Sequence, residues 1–292
     1  MSANGIKIAF GGAAWLSSSV DEVTEWLAFL KKSGIEIIDT AQMYGGSEVV
    51  MGNAGAASSF TVDTKTPGGF NEQPNTKDVV INSGKKSLEN LKTDSVDVYY
   101  MHAPDRRVPV KETLSGLNEL YKQGAFKQIV RVAKENNYVI PSVYQGNYNA
   151  VARRADAEIF PVIRKHNMAF YAYSPIAGGF LSKSKAALTE PNGRFGEGQP
   201  LAQALDVWEQ IAKDENTTRA ELAYRWIAYH SKLAGDQGDV IIVGARNTQQ
   251  FGETLQALKA GPLSDAAVAK IDQVWESVKA EATLDNYEVT GR

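Results

Sequence analysis

Short apolar runs alternate with amphipathic stretches of helical period along almost the whole chain, and this alternation constrains its fold more than any other feature. Ile6 to Phe10 reads as a buried strand. Val20, Val23, Trp26, Leu27 and Leu30 then recur at helical spacing, with Gly34 just past the end. Further strands are expected over Ile35 to Thr40, Phe60 to Lys65, Val96 to His102, Pro141 to Gln145, Ala169 to Ser174 and Val240 to Gly244. Between them, helices are expected over Lys77 to Leu91 and from Val110 through Leu114 and Leu117 to Leu120, with Gly124 as the stop. Later helices are expected over Ala150 to Lys165, Ala202 to Asp214, Arg219 to Ser231, Gln249 to Lys259 and Asp265 to Lys279. Strands joined by helical crossovers pair in parallel. No G-x-G-x-x-G follows the first strand, and Gly11-Gly12-Ala13-Ala14 is only loosely similar. That argues against a doubly wound dinucleotide-binding sheet and for an α/β fold of the (β/α)8 TIM-barrel class. With 292 residues and no linker or low-complexity tract, one domain over residues 1–292 is the simplest organisation.

The alternation fails once. The helix ending near Gln123 runs into Ile129 to Asn137, which also reads as helical, where a strand is due. Phe126 to Val130 could serve as that strand, but it leaves a crossover shorter than the 10 or so residues usually needed. The fifth strand is therefore expected to be missing or shortened near residues 124–130.

Composition excludes several chemistries. The chain has no cysteine, which removes disulfides, thiolate nucleophiles and Cys-ligated zinc. A net charge of −3 without a clustered basic face argues against a nucleic-acid partner. No apolar run reaches the roughly 18 residues of a membrane span, and Met1 to Phe10 lacks the pattern of a secretory leader. A cytoplasmic protein without membrane attachment and without a metal site is expected.

Four polar residues collect where the chemistry of such a barrel sits. Asp39 ends the second strand and Tyr44 follows it closely; Lys65 ends the third strand and His102 the fourth. The C-terminal strand ends of a parallel barrel lie on one face, where active sites form. A phenol titrates near 10, and an adjacent ammonium is expected to lower that value. An aspartate keeps the lysine charged, and a histidine orients a carbonyl. Together they describe a proton donor for a carbonyl oxygen that receives a hydride. Taken singly, each has a plainer reading: Asp39 as a cap, Tyr44 as a loop aromatic, Lys65 as a snorkelling side chain, His102 as a core histidine.

The motifs that carry these residues resemble the aldo-keto reductases. Asp39-Thr40-Ala41-Gln42-Met43-Tyr44-Gly45-Gly46-Ser47-Glu48 is similar to the first signature of that family, and Thr64-Lys65 and Tyr100-Met101-His102-Ala103-Pro104-Asp105 to its lysine and histidine strands. Pro141 to Ala150 and Tyr171 to Gly179 resemble the aflatoxin-aldehyde reductase branch. The resemblance implies NADP(H) as cofactor, Tyr44 as general acid, Lys65 and Asp39 as its tuning pair, and His102 as the carbonyl-orienting group. It further implies a cofactor site from Gly12, Ala13, Asp39, Gln145, Tyr173, Ser174, Ile176, Gly178, Gly244, Arg246, Gln250 and Glu253. Gln145 would hold the nicotinamide amide, Tyr173 would stack on its ring, and Glu253 would meet the adenine. Where many relatives place a Lys and an Arg on the adenosine 2′-phosphate, this chain has Gly244 and Gln250, so Arg246 becomes the replacement. Trp15, Met43 and Tyr148 would line the mouth of a pocket for a small-molecule carbonyl substrate, and Arg194 would attract carboxylate-bearing aldehydes. The same branch implies a homodimer.

One departure stands out. The family's Ser-Asn pair, which holds the nicotinamide amide beside the equivalent of Gln145, is absent where Gly124-Ala125-Phe126-Lys127-Gln128 joins Ile129-Val130-Arg131. A variant impaired in cofactor binding is one alternative that follows. A regulatory subunit like the potassium-channel β-subunits, which share the fold, is a second. A remote third is an aldolase-type barrel with Lys65 as Schiff base.

Overall fold

The computed structural model describes residues 2–129, 142–187, 200–282 and 284. Its strands are β1 (Ser2–Ala3), β2 (Ile6–Gly11), β3 (Ile37–Asp39), β4 (Thr61–Thr66), β5 (Val96–Met101), β6 (Phe126–Ile129), β7 (Val143–Asn147), β8 (Ala169–Tyr173) and β9 (Val240–Val243). Its α-helices are α1 (Val20–Lys32), α2 (Ser47–Asn53), α3 (Lys77–Leu91), α4 (Val110–Lys122), α5 (Ala155–Glu158), α6 (Phe160–Lys165), α7 (Pro200–Asp214), α8 (Arg219–Tyr229), α9 (Thr248–Lys259) and α10 (Asp265–Val278). These elements cluster into two compact units: residues 8–144 with 244–248, and residues 2–7 with 145–243 and the chain from 249 on.

In the first unit the strands lie in the order β6-β5-β4-β3-β2. All four pairings are parallel, running from Ala9↔Ile37 through Ile38↔Val62 and Lys65↔Tyr100 to Val96↔Phe126. Local sequence explains the helices between them. Ser19 and Glu22 form a reciprocal capping box at the start of α1, and Val23, Leu27 and Leu30 turn its apolar face inward. The expected break falls at β6. Residues 126–129 form a short parallel strand on β5, so Ile129 is in a strand and not at the start of a helix. Phe126 stacks on Tyr99 at 5.7 Å between centroids, which ties the short strand to its neighbour. The rest of the stretch read as helical to Asn137 lies outside the described residues.

In the second unit β7, β8 and β9 are neighbours in that order, with β8 and β9 in parallel register through Tyr171↔Val240. Residues 2–7 fold back as a hairpin, Ser2↔Lys7 and Ala3↔Ile6, around Asn4 and Gly5, both with positive φ. The helix expected over Ala150 to Lys165 is two short helices, α5 and α6. Pro161 at the start of α6 has no N–H to continue the ladder back to Ala157. The core of this unit is aromatic, with Tyr148, Phe160, Phe170, Trp208 and Trp226 all buried. Among the described residues, no helix is long and apolar enough to cross a membrane.

Candidate active site

The chemistry of the first unit is organised around β4. Its carbonyls anchor the neighbouring segments: Asp63 O accepts from Thr40 N at 2.8 Å, Lys65 O from Gln42 N at 3.2 Å, and Thr66 O from His102 N at 3.0 Å. The loop that carries Tyr44 and the strand end that carries His102 are therefore both fixed to the strand that carries Lys65.

Lys65 is fully buried and ion-paired with Asp39. Its Nζ donates to Asp39 Oδ1 at 2.7 Å, to Asp39 Oδ2 at 2.6 Å and to Thr40 O at 2.8 Å. An ammonium has three donors, and three acceptors meet them here. Nζ also lies 5.5 Å from the centroid of the Tyr44 ring and 5.4 Å from that of Tyr100. The Tyr44 ring stands edge-on to His102 at 5.6 Å. The four residues drawn from three strand ends thus come together in one unit.

The electrostatics differ from the sequence expectation in one respect. The Tyr44 hydroxyl is pushed above the usual phenol range, first by burial and then by the Asp39 carboxylate. The lysine does not outweigh these two effects, because Asp39 and Thr40 take its donors and Asp39 partly balances its charge. Tyr44 therefore holds its proton firmly. Burial, and secondarily the charge on Lys65, push His102 down to about 4, so its imidazole is neutral at physiological pH. His102 Nδ1 is buried with no hydrogen-bond partner among the described residues. An ammonium held on a carboxylate is also a poor nucleophile, which speaks against Lys65 as a Schiff-base lysine.

Two further residues border this cluster. Phe70, after Gly68 and Gly69, packs edge-on against His102 at 5.4 Å. The two glycines press this loop against the segment after β5: a Cβ at Gly68 would lie 2.1 Å from Ala103 O, and one at Gly69 would lie 2.3 Å from Pro104 O. Gly68 also has φ +61°. Gly68→Ala is expected to cost more than the 1–2 kcal/mol or so of the left-handed backbone alone, because backbone must also move. Thermal unfolding checks this; an unchanged Tm would show that the loop contact is dispensable. Asp63 is the second. It is buried on β4, and a carboxylate inside an expected strand is the sequence feature that marks it.

Gly12 is buried, and its carbonyl accepts from Ser47 Oγ at 3.0 Å; a Cβ there would sit 3.1 Å from Asp39 O. Ala13 is exposed. Of the three residues expected at a pocket mouth, only Met43 is exposed. Trp15 is buried against Phe10 at 4.8 Å and Trp26 at 6.4 Å. Gly244 and Arg246, also in the first unit, are exposed just after β9.

In the second unit, Gln145 and Tyr173 are half-buried on β7 and β8. The segment after β8 bends through positive φ at Ser174, Ala177, Gly178 and Gly179. Ile176 lies within that bend, and a Cβ at Gly178 or Gly179 would meet nothing within 4 Å. Such a bend with open space beside it suits the close approach of a phosphate-bearing ligand. Gly244 likewise faces open space. Within the second unit, the open bend beside the half-buried Gln145 and Tyr173 thus fits a phosphate-bearing portion of a nucleotide. Gln250 and Glu253 are exposed on α9, where Glu253 accepts from Gln249 Nε2 at 3.0 Å. Tyr148 requires correction. It is fully buried among Phe160, Phe170 and Trp226, donates to Asp156 Oδ1 at 2.6 Å and accepts from Lys232 N at 3.1 Å, so it is a core residue and not part of a pocket mouth. Arg194 lies outside the described residues.

The sequence matches the Aldo/keto reductase family profile over residues 7–276. It is 32% identical to the protein named oxidoreductase sirO of Leptosphaeria maculans over 292 aligned positions, covering 90% of this chain and 88% of that protein. It is 32% identical to aflatoxin B1 aldehyde reductase member 2 of Mus musculus, covering 87% of this chain and 80% of the relative. The fold matches glycerol dehydrogenase AKR11B4 from Gluconobacter oxydans with a TM-score of 0.72 at 22% identity, over 91% of this chain and 90% of that one. That likeness carries the (β/α)8 fold class.

Proposed function

This chain belongs to the aldo/keto reductase family of oxidoreductases, and on that premise we propose that it reduces aldehydes or ketones to alcohols with NADPH. The observation that carries the proposal is the buried Lys65–Asp39 pair with the Tyr44 and His102 rings gathered beside it. Bound NADPH supplies the hydride. Hydride addition turns a carbonyl into an alkoxide, a stronger base than phenolate, so a firmly held Tyr44 Oη proton moves to the substrate oxygen as the charge develops. Lys65, fixed by Asp39 and Thr40, faces the Tyr44 ring and stabilises the phenolate that remains. His102 is neutral and so cannot be the cationic acid; it aligns the carbonyl by hydrogen bonding.

For the cofactor, Gln145 would hold the nicotinamide amide, Tyr173 would stack on the ring, and Ser174, Ile176 and Gly178 would border the pyrophosphate. By the family resemblance, Gly12, Ala13, Gly244 and Gln250 would also contact the cofactor, with Glu253 toward the adenine. The exposed Arg246 would grip the 2′-phosphate in a guanidinium fork. Arg246→Ala is then expected to raise the Kd for NADPH about 10-fold or more while barely changing that for NADH; equal losses in a fluorescence titration would reject the contact. The reading extends to one domain over residues 1–292, acting in the cytoplasm as a homodimer. Its direct test is aldehyde-dependent oxidation of NADPH by the purified chain. Turnover supports it; cofactor binding without turnover on any aldehyde or ketone favours a regulatory role.

A further inference from the structure

Two carboxylates and one ammonium share the interior beside Tyr44. Asp39 on β3 and Asp63 on β4 are register partners on neighbouring parallel strands. Asp63 stands two residues before Lys65, on the same face of the same strand. The lysine's three donors go to Asp39 and Thr40, so none is left for Asp63. Asp63 Oδ1 accepts from Val98 N at 3.1 Å, and Oδ2 is buried with no partner among the described residues. The other charges felt by Asp63 are Asp39 on β3, Lys65 on its own strand and Asp97 on β5, the last paired with Lys127 at 3.5 Å.

We infer that Asp63 is a positioning residue, held as a neutral carboxylic acid so that Lys65 stays committed to Asp39 beside the Tyr44 ring. This rests on the reductase reading above. Ionised, Asp63 would be a buried charge with only the Val98 N–H and the neighbouring Lys65 to offset it, and it would compete with Asp39 for the ammonium. A second negative charge there would also oppose the phenolate that proton transfer leaves on Tyr44. Burial, with Asp39 and Asp97 adding, pushes the Asp63 carboxyl well above the usual range, while the Val98 N–H and Lys65 oppose the shift.

The sign of the pH dependence follows. An unfolded Asp63 ionises near 4, whereas the folded one keeps its proton, so its contribution is complete below that value and is lost as pH rises toward the folded pKa. Asp63→Asn keeps a neutral side chain of the same shape and escapes this loss. Its stability relative to the unsubstituted chain is expected to rise as pH climbs above the unfolded value near 4 toward the folded one. Urea unfolding midpoints across that range, with the infrared band of a protonated carboxyl present before substitution and absent after it, read the protonation state without reference to activity. In turnover, Asp63→Asn is expected to stay within about 2-fold in kcat/KM, while Asp63→Ala, which opens a cavity beneath Lys65, loses about 10-fold or more in kcat with little change in KM. A stability difference independent of pH, no carboxyl band, an Asn variant as impaired as the Ala variant, or an Ala variant as active as the unsubstituted chain would each overturn the assignment. If the unsubstituted chain turns over no carbonyl substrate, the reductase reading fails, and the infrared and unfolding data still decide the protonation of Asp63.

Discussion

Replacing Tyr44 by phenylalanine is expected to lower aldehyde-dependent NADPH oxidation by about 10²–10⁴-fold, the usual worth of a positioned general acid. Cofactor affinity should change little, because the hydroxyl is the only group removed. The effect should fall on kcat, since the proton moves only as charge develops on the substrate oxygen. The geometry leaves few substitutes for the lost acid. His102 has its imidazole pushed down to about 4 and is neutral at physiological pH. Lys65 has its donors taken by Asp39 and Thr40. Steady-state kinetics with a fluorescence titration of NADPH separate the two terms. Full turnover in the variant would remove Tyr44 as the acid.

Lys65→Met is expected to abolish turnover and also to destabilise the fold by about 3–5 kcal/mol, because it leaves the Asp39 carboxylate buried without its counter-charge. The companion experiment is the double variant Asp39→Asn, Lys65→Met. With both charges gone, the desolvation penalty disappears, and most of the lost stability should return. Activity should not return with it. Urea unfolding of the single and double variants measures the difference. A double variant no more stable than Lys65→Met would mean that the ion pair is not what the interior depends on at this point. Stability and chemistry are thus expected to separate here.

Much of this was legible in the sequence, for physical reasons. Strand and helix periods are written in the apolar pattern, so α3 appears as expected over Lys77–Leu91, and the strand ends that carry Asp39, Lys65 and His102 follow from the same pattern. Short elements were not legible. Helix α2 spans seven residues between glycine-bearing turns and gives too little periodicity to read. The Asn4–Gly5 hairpin and the Pro161 interruption are local events whose outcome depends on what they pack against. At the site, residue identity could be read but donor accounting could not. Spacing suggests that a lysine lowers a nearby phenol. That Asp39 and Thr40 take up that lysine's hydrogen bonds depends on how β3 and β4 pack, which spacing does not encode. Tyr148 misled for a similar reason: a tyrosine after a strand end can face solvent or core, and here Asp156 and the Lys232 amide satisfy its hydroxyl inside.

The three carbonyls of β4 that tether Thr40, Gln42 and His102 make one strand the ruler for the whole catalytic group. A single-step slip of that strand would turn Lys65 toward the helices and unfasten both flanking segments together. No halfway arrangement keeps the acid poised while its neighbours drift. Loss of catalysis under mild denaturing stress would therefore be abrupt, tracking the melting of this one strand rather than a gradual loosening of separate loops.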